Sequence, residues 1–297
     1  MKTPIFTGAS AAIITPFKNG HVDYDSFEKL IHMQIEAKSE AVTVCGTTGE
    51  ASTLSLKEYI DVLTFAKKTS DGKCKIIAGS GTNSTKGTIE KSDIAADCGA
   101  DALLIVTPYY NKTTQAGLIE HFSEISCSTA LPIILYNVPS RTGVTFTPET
   151  YKALSEIENI NGVKEASGNF DLIAKTKIIC GDQLNIWSGN DNETLEIMAL
   201  GGVGVISVAA NLIPDVMMKI TDLCDDGEYD KARQLVFTYF DLIDKMFIEV
   251  NPIPIKELLR LHGLCTGELR LPLVNMSAKN RETIEKTYTD YKNRALI

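Results

Sequence analysis

Apolar runs of four to six residues recur along this chain up to about residue 225, separated by longer segments of helical periodicity. That alternation constrains the fold more than any other feature. The runs are Ala9–Ile14, Ala41–Val44, Ile76–Gly79, Ala102–Val106, Ile133–Tyr136, Ile160–Lys164, Leu184–Trp187 and Val203–Val208, eight in all. Between them lie amphipathic segments: Tyr24–Ala37, Leu56–Thr69, Ser84–Cys98, Leu118–Ser128, Pro148–Glu156, Leu172–Cys180 and Glu193–Leu200. Ser55 and Asn192 stand where two of these helices want an N-cap. Strands that are apolar throughout, each followed by a helix, belong to a parallel sheet covered on its faces. Eight of them predict an α/β fold, a (β/α)8 TIM barrel. A doubly wound sheet would want a glycine-rich dinucleotide turn after its first strand, and Thr15-Pro16-Phe17 is not one.

After Asp225-Asp226-Gly227 the alternation stops. Tyr229–Val250 is apolar at helical spacing, Asn251-Pro252-Ile253-Pro254 breaks it, Ile255–His262 resumes, and Ser277 can cap a last helix. The division expected is residues 1–226 as the barrel and 227–297 as a C-terminal helical appendage. A chain of 297 residues buries enough surface for one large core. Its net charge of −9, with no basic stripe, excludes nucleic acid and anionic membrane as partners. Seven scattered cysteines without a CxxC pair fit a reducing compartment, and four histidines show no metal-ligand spacing. The N-terminal apolar run is short and stopped by Pro16, and Ile197–Pro214 is interrupted by glycines. The expectation is a soluble, cytoplasmic protein.

In such a barrel the chemistry lies at the C-terminal ends of the strands. The sixth run ends in Val163-Lys164-Glu165-Ala166-Ser167-Gly168. A lysine in a buried strand is costly unless paired or neutralised. The neutral amine is a nucleophile that can form a Schiff base with a carbonyl compound, and the plainer alternative is a packed stem with its head in water. The second run ends in Gly46-Thr47-Thr48-Gly49-Glu50, whose hydroxyls and loose backbone can cradle a carboxylate or simply cap the next helix. Thr107-Pro108-Tyr109-Tyr110 and Tyr136-Asn137-Val138-Pro139-Ser140-Arg141-Thr142-Gly143 end the fourth and fifth. Tyrosines beside a lysine at one mouth suit proton transfer. Gly201-Gly202-Val203-Gly204 precedes its strand, so it reads as a tight turn and not a phosphate loop.

Those strand-end tracts, in that order, resemble the class I pyruvate-dependent lyase and aldolase family over essentially the whole chain. The tract Pro139–Gly143 is most similar to members that condense pyruvate with aspartate 4-semialdehyde on the way to diaminopimelate and lysine. The resemblance implies Lys164 as the Schiff-base lysine, Tyr136 as the proton shuttle, and Thr47 with Tyr110 as a relay. It further implies Thr48 at the pyruvate carboxylate, Arg141 at the semialdehyde carboxylate, and Gly189 and Ile206 as backbone of the pocket wall. No metal or organic cofactor is implied. Tyr110 would reach a neighbouring active site across a tight dimer, within a homotetramer built as a dimer of dimers. Relatives inhibited by lysine bind it at the dimer interface; here Asn83 and Tyr109 are kept, while Tyr59 replaces a histidine and Gly87 a glutamate. Feedback inhibition is therefore expected to be weak or absent. The rival readings are a sibling aldolase of a 2-keto-3-deoxy sugar acid or N-acetylneuraminate, against which Arg141 argues, and a non-catalytic ligand-binding barrel.

Overall fold

The computed structural model describes residues 1–297. In chain order its main elements are β1 (Gly8–Ala12), α1 (Tyr24–Glu36), β2 (Ala41–Val44), α2 (Leu56–Ser70), β3 (Lys75–Gly79), α3 (Thr85–Asp97), β4 (Ala102–Val106) and α4 (Gln115–Ser128). There follow β5 (Ile133–Asn137), α5 (Pro139–Thr142), α6 (Pro148–Ser155), β6 (Ile160–Glu165), α7 (Phe170–Cys180), β7 (Asn185–Ser188), α8 (Thr194–Ala199), β8 (Gly204–Ser207) and α9 (Pro214–Asp225). The chain ends with α10 (Tyr229–Lys245), α11 (Ile253–Leu261) and α12 (Ala278–Asn293). Each barrel strand pairs in parallel with the next, and β8 returns to β1 from Gly8↔Gly204 to Ala11↔Ser207. The eight strands of the apolar pattern are all present and the fold is a TIM barrel.

Several boundaries move for local reasons. Ser55 does cap α2, in a reciprocal capping box with Glu58. Asn192 is not a cap: Asp191–Glu193 form a tight 3-10 turn, because the Asp191 carboxylate turns inward to accept from the Val208 and Ala209 N–H groups, and α8 begins at Thr194. The helix expected to reach Val250 ends at Lys245. The next starts at Ile253, two residues before Ile255, since Pro254 lies in the first turn, where no N–H is needed. A two-residue hairpin, Phe17–Lys18 with His21–Val22, was not foreseen. Ser277 caps α12 by accepting from Asn280 N–H.

Two apolar layers hold the barrel. Side chains such as Val42, Ile76, Leu103, Val163 and Val205 point outward to the helices, in one core with Leu242, Leu258 and Tyr288 of the C-terminal helices. Ile77, Leu104, Ile134, Tyr136, Trp187 and Ile206 fill the lumen. Trp187 stacks on Phe6 at 5.1 Å and donates its indole N–H to the Phe6 carbonyl, plugging the N-terminal end. Near that end the Lys2 ammonium donates to the carbonyls of Ser155, Ile157 and Ile160 at 2.6–2.7 Å. No helix is long and apolar enough to cross a membrane, and all seven cysteines are free.

One irregularity sets the direction of Lys164. Between β5 and β6 the register jumps from Ile133↔Ile160 to Ile134↔Gly162, so Asn161 is an extra residue. Ile160 packs outward against the helices, and a strand of period two would turn Gly162 outward as well. The bulge reverses that phase. Gly162 faces the lumen, where a Cβ would meet Trp187 Cζ3 at 2.6 Å. Val163 then faces out, Lys164 in and Glu165 out.

Candidate active site

The C-terminal ends of the strands surround a cavity of about 790 Å³. Lys164 lines it from β6, only 5 % exposed, in register with Tyr136 on one side and Trp187 on the other. Its ammonium nitrogen lies 4.5 Å from the centroid of the Tyr136 ring. No carboxylate pairs directly with it, so its neighbours are an aromatic face and the open cavity. Gly189, just past β7, closes the wall. A Cβ there would stand 2.7 Å from Ala166 Cβ, so glycine is required for the backbone to approach β6 and donate to the Glu165 carbonyl at 2.7 Å.

Two buried acids lie on the strand and loop beside this lysine. Glu165, pointing outward, accepts from Tyr151 Oη at 2.7 Å, from Asn137 Nδ2 at 2.9 and 3.1 Å, and from Ser167 N–H at 2.9 Å. Burial pushes its carboxyl up, against the pull of those donors. Asp191 is fully buried and its acid is likewise raised by burial, while Ser207, the Ala209 and Val208 amides and the Lys164 charge draw it down. Its Oδ1 has no hydrogen-bond partner. Burial pushes the Cys45 thiol, at the end of β2, up to about 12, which keeps it a thiol and not a nucleophile.

The loop after β2 is the tract expected to cradle a carboxylate. Cys45 and Glu50 adopt left-handed φ values of 56° and 52°, so the loop bends sharply at both ends and Thr47 and Thr48 line the cavity. Arg141 lines it from α5, a single turn opened by Pro139 and closed by Gly143 at φ 67°. Asn251 ties the two together. Its Nδ2 donates to Thr48 Oγ1 at 2.9 Å, and its carbonyl accepts from Arg141 Nη2 at 3.3 Å. Sequence reasoning missed Asn251, taking Asn251-Pro252 only as a helix breaker. The one available signal was a polar residue held before a proline between two apolar helices.

Thr47, Thr48, Tyr136, Arg141, Lys164 and Gly189 therefore share one cavity. Two expected residues do not. Ile206 is buried among the lumen side chains, and Val208, two positions on, forms the wall instead, because β8 ends at Ser207 below the rim. Tyr110 is 91 % exposed at a left-handed φ of 70° and lies outside the cavity wall, whereas Tyr109 lines it. A third cation, Lys91 of α3, faces the cavity over the Tyr59 ring at 4.4 Å, its amine pushed down by burial. No group of three or more His, Cys, Asp or Glu side chains is arranged to hold a metal ion.

Comparison with known proteins accords with this geometry. The model of the dihydrodipicolinate synthetase family matches residues 5–290. The 4-hydroxy-tetrahydrodipicolinate synthase of Caldicellulosiruptor saccharolyticus is 47 % identical over 97 % of this chain and 98 % of its own. That of Clostridium novyi is 43 % identical over 97 % of each. The crystal structure of dihydrodipicolinate synthase from Thermotoga maritima superposes with a TM-score of 0.95 at 40 % identity, covering 99 % of this chain and all of that one. A sequence pattern, a closed barrel and a lysine-bearing mouth thus converge, and the chain belongs to the dihydrodipicolinate synthetase family.

Proposed function

We propose that this chain condenses pyruvate with aspartate 4-semialdehyde to 4-hydroxy-tetrahydrodipicolinate, a step toward diaminopimelate and lysine. The observation that carries the reading is Lys164, buried at the cavity wall against Tyr136 and free of any carboxylate partner. The neutral amine adds to the keto carbon of pyruvate, and loss of water leaves an iminium. The iminium draws electrons from the methyl group, a proton leaves, and the enamine carbon attacks the aldehyde. The amino group of the second substrate then closes on the former keto carbon and displaces Lys164, restoring the free amine.

Tyr136 carries protons to and from the imine in this reading, with Thr47 next along the relay; such transfer is typically worth about 10²–10⁴-fold. Thr48 and the backbone beside Thr47 hold the pyruvate carboxylate. Arg141 holds the semialdehyde carboxylate, for which a planar fork suits better than an ammonium. Gly189 supplies wall backbone. Tyr110, exposed in the single chain, completes the relay of a second copy across a tight dimer, two dimers making a tetramer. Barrel and appendage divide at residues 226 and 227, and the free thiols fit the cytoplasm.

The test is turnover of pyruvate plus aspartate semialdehyde, coupled to a reductase that accepts the cyclic product. The reading requires product from the wild type and none from Lys164→Ala. A wild type that forms no product with this pair overturns it.

A further inference from the structure

We propose that Lys256 and Glu50, which touch no substrate, are positioning residues. Their buried ion pair lets the C-terminal helices set the shape of the carboxylate cradle. This rests on the reading of Thr47 and Thr48 as the pyruvate-carboxylate site.

Glu50 closes the cradle. Its N–H donates to the Thr47 carbonyl at 3.1 Å, and its left-handed φ of 52° is one a side-chain-bearing residue holds only when its surroundings enforce it. The enforcement comes from far along the chain. The Glu50 carboxylate pairs with the Lys256 ammonium of α11, both side chains 1 % exposed, and also accepts from Arg270 N–H at 3.1 Å. Lys256 donates on to the Glu268 carbonyl at 2.9 Å. Lys256 and Arg270 each lie 4.2 Å from the Phe17 ring centroid, and Arg270 pairs with Glu58, which reciprocates Ser55 in the capping box of α2. The helix after the cradle is thus gripped by the same segment. Asn251, at the entry to α11, reaches Thr48 itself.

A fully buried ion pair is a poor stability device, since matched apolar residues usually do as well. What it provides here is a directional tie between a bent loop and a helix. It also neutralises a carboxylate that sits next to the place where another carboxylate must bind, and an unpaired Glu50 would repel that anion through a low-dielectric wall.

The experiment measures borohydride trapping of pyruvate against pyruvate concentration in the full chain. In Lys256→Met the half-saturating concentration rises about tenfold, the maximal trapped fraction being kept because Lys164 is untouched. The double variant Glu50→Gln/Lys256→Met, which orphans no charge, folds and lies between the two. A role in stability alone lowers the melting temperature of either variant and leaves half-saturation within twofold of wild type, and that result overturns the proposal. Wild-type amide exchange supplies a check independent of variants: saturating pyruvate must slow exchange at Arg270 N–H together with the Thr47–Glu50 loop, and an unchanged Arg270 overturns it too. Failure of wild-type chain to trap pyruvate at all would instead remove the reading of the site.

Discussion

Tyr151→Phe isolates one hydrogen bond to Glu165, the residue after Lys164. Tyr151 is fully buried and its hydroxyl donates to Glu165 Oε2 at 2.7 Å, while Glu165 is 2 % exposed. The substitution removes only the oxygen, so packing of the ring on Phe146 at 4.7 Å is retained. With the carboxylate ionised, the loss is one bond to a charged group, about 1.5–3 kcal/mol. With it protonated, the loss is an ordinary bond, about 0.5–1.5 kcal/mol. Burial already lifts the folded Glu165 above its unfolded value, so the folded protein holds this proton longer and its stability falls as pH rises between the two values. Removing the hydroxyl lifts the folded value further and deepens that fall. Urea unfolding at fixed protein concentration should show a loss of about 2 kcal/mol where Glu165 is ionised and roughly half of it at acid pH where it is protonated, with unchanged m. A loss that does not change with pH, or one under about 0.5 kcal/mol throughout, would refute a charge-assisted Tyr151–Glu165 hydrogen bond.

Two further outcomes follow from the same structure. Burial pushes the His121 imidazole down to about 4, with Thr85 Oγ1 at 2.9 Å from Nδ1, so the neutral ring contributes stability that is lost as pH falls from about 6.5 toward 4. His121→Leu should flatten that fall, up to about 3 kcal/mol, in melting temperature against pH; parallel curves would contradict it. Free lysine at millimolar concentration should leave the initial rate unchanged, because Gly87 offers no carboxylate and the Lys91 ammonium over Tyr59 repels a cationic effector. Half-inhibition at sub-millimolar lysine would contradict it.

Much of the fold was legible because parallel strands buried on both faces announce themselves as short apolar runs, and every run from Ala9 to Val208 corresponds to a barrel strand. Cap residues were less reliable. Ser55 works because Glu58 reciprocates, whereas Asn192 fails because its neighbour Asp191 is recruited to a different loop. The direction of Lys164 was beyond periodicity. Alternation counted from Ile160 leaves it outside the barrel, and only the Asn161 bulge turns it in. Asn251, Lys256 and Lys91 reach the site or its supports from segments distant in sequence; apart from the proline after Asn251, nothing local marks them. Ile206 has its side chain among the lumen residues, one layer below the side chains that line the cavity, and only its backbone could serve the wall.

The central claim is that Lys164 is the amine that becomes covalent. The most direct measurement is borohydride reduction in the presence of pyruvate, followed by intact mass and peptide mapping. One adduct of about 72 Da per chain on the peptide holding Lys164, absent from Lys164→Ala, is the predicted result. An adduct on Lys91, the other lysine facing the cavity, or no adduct at all, would contradict it.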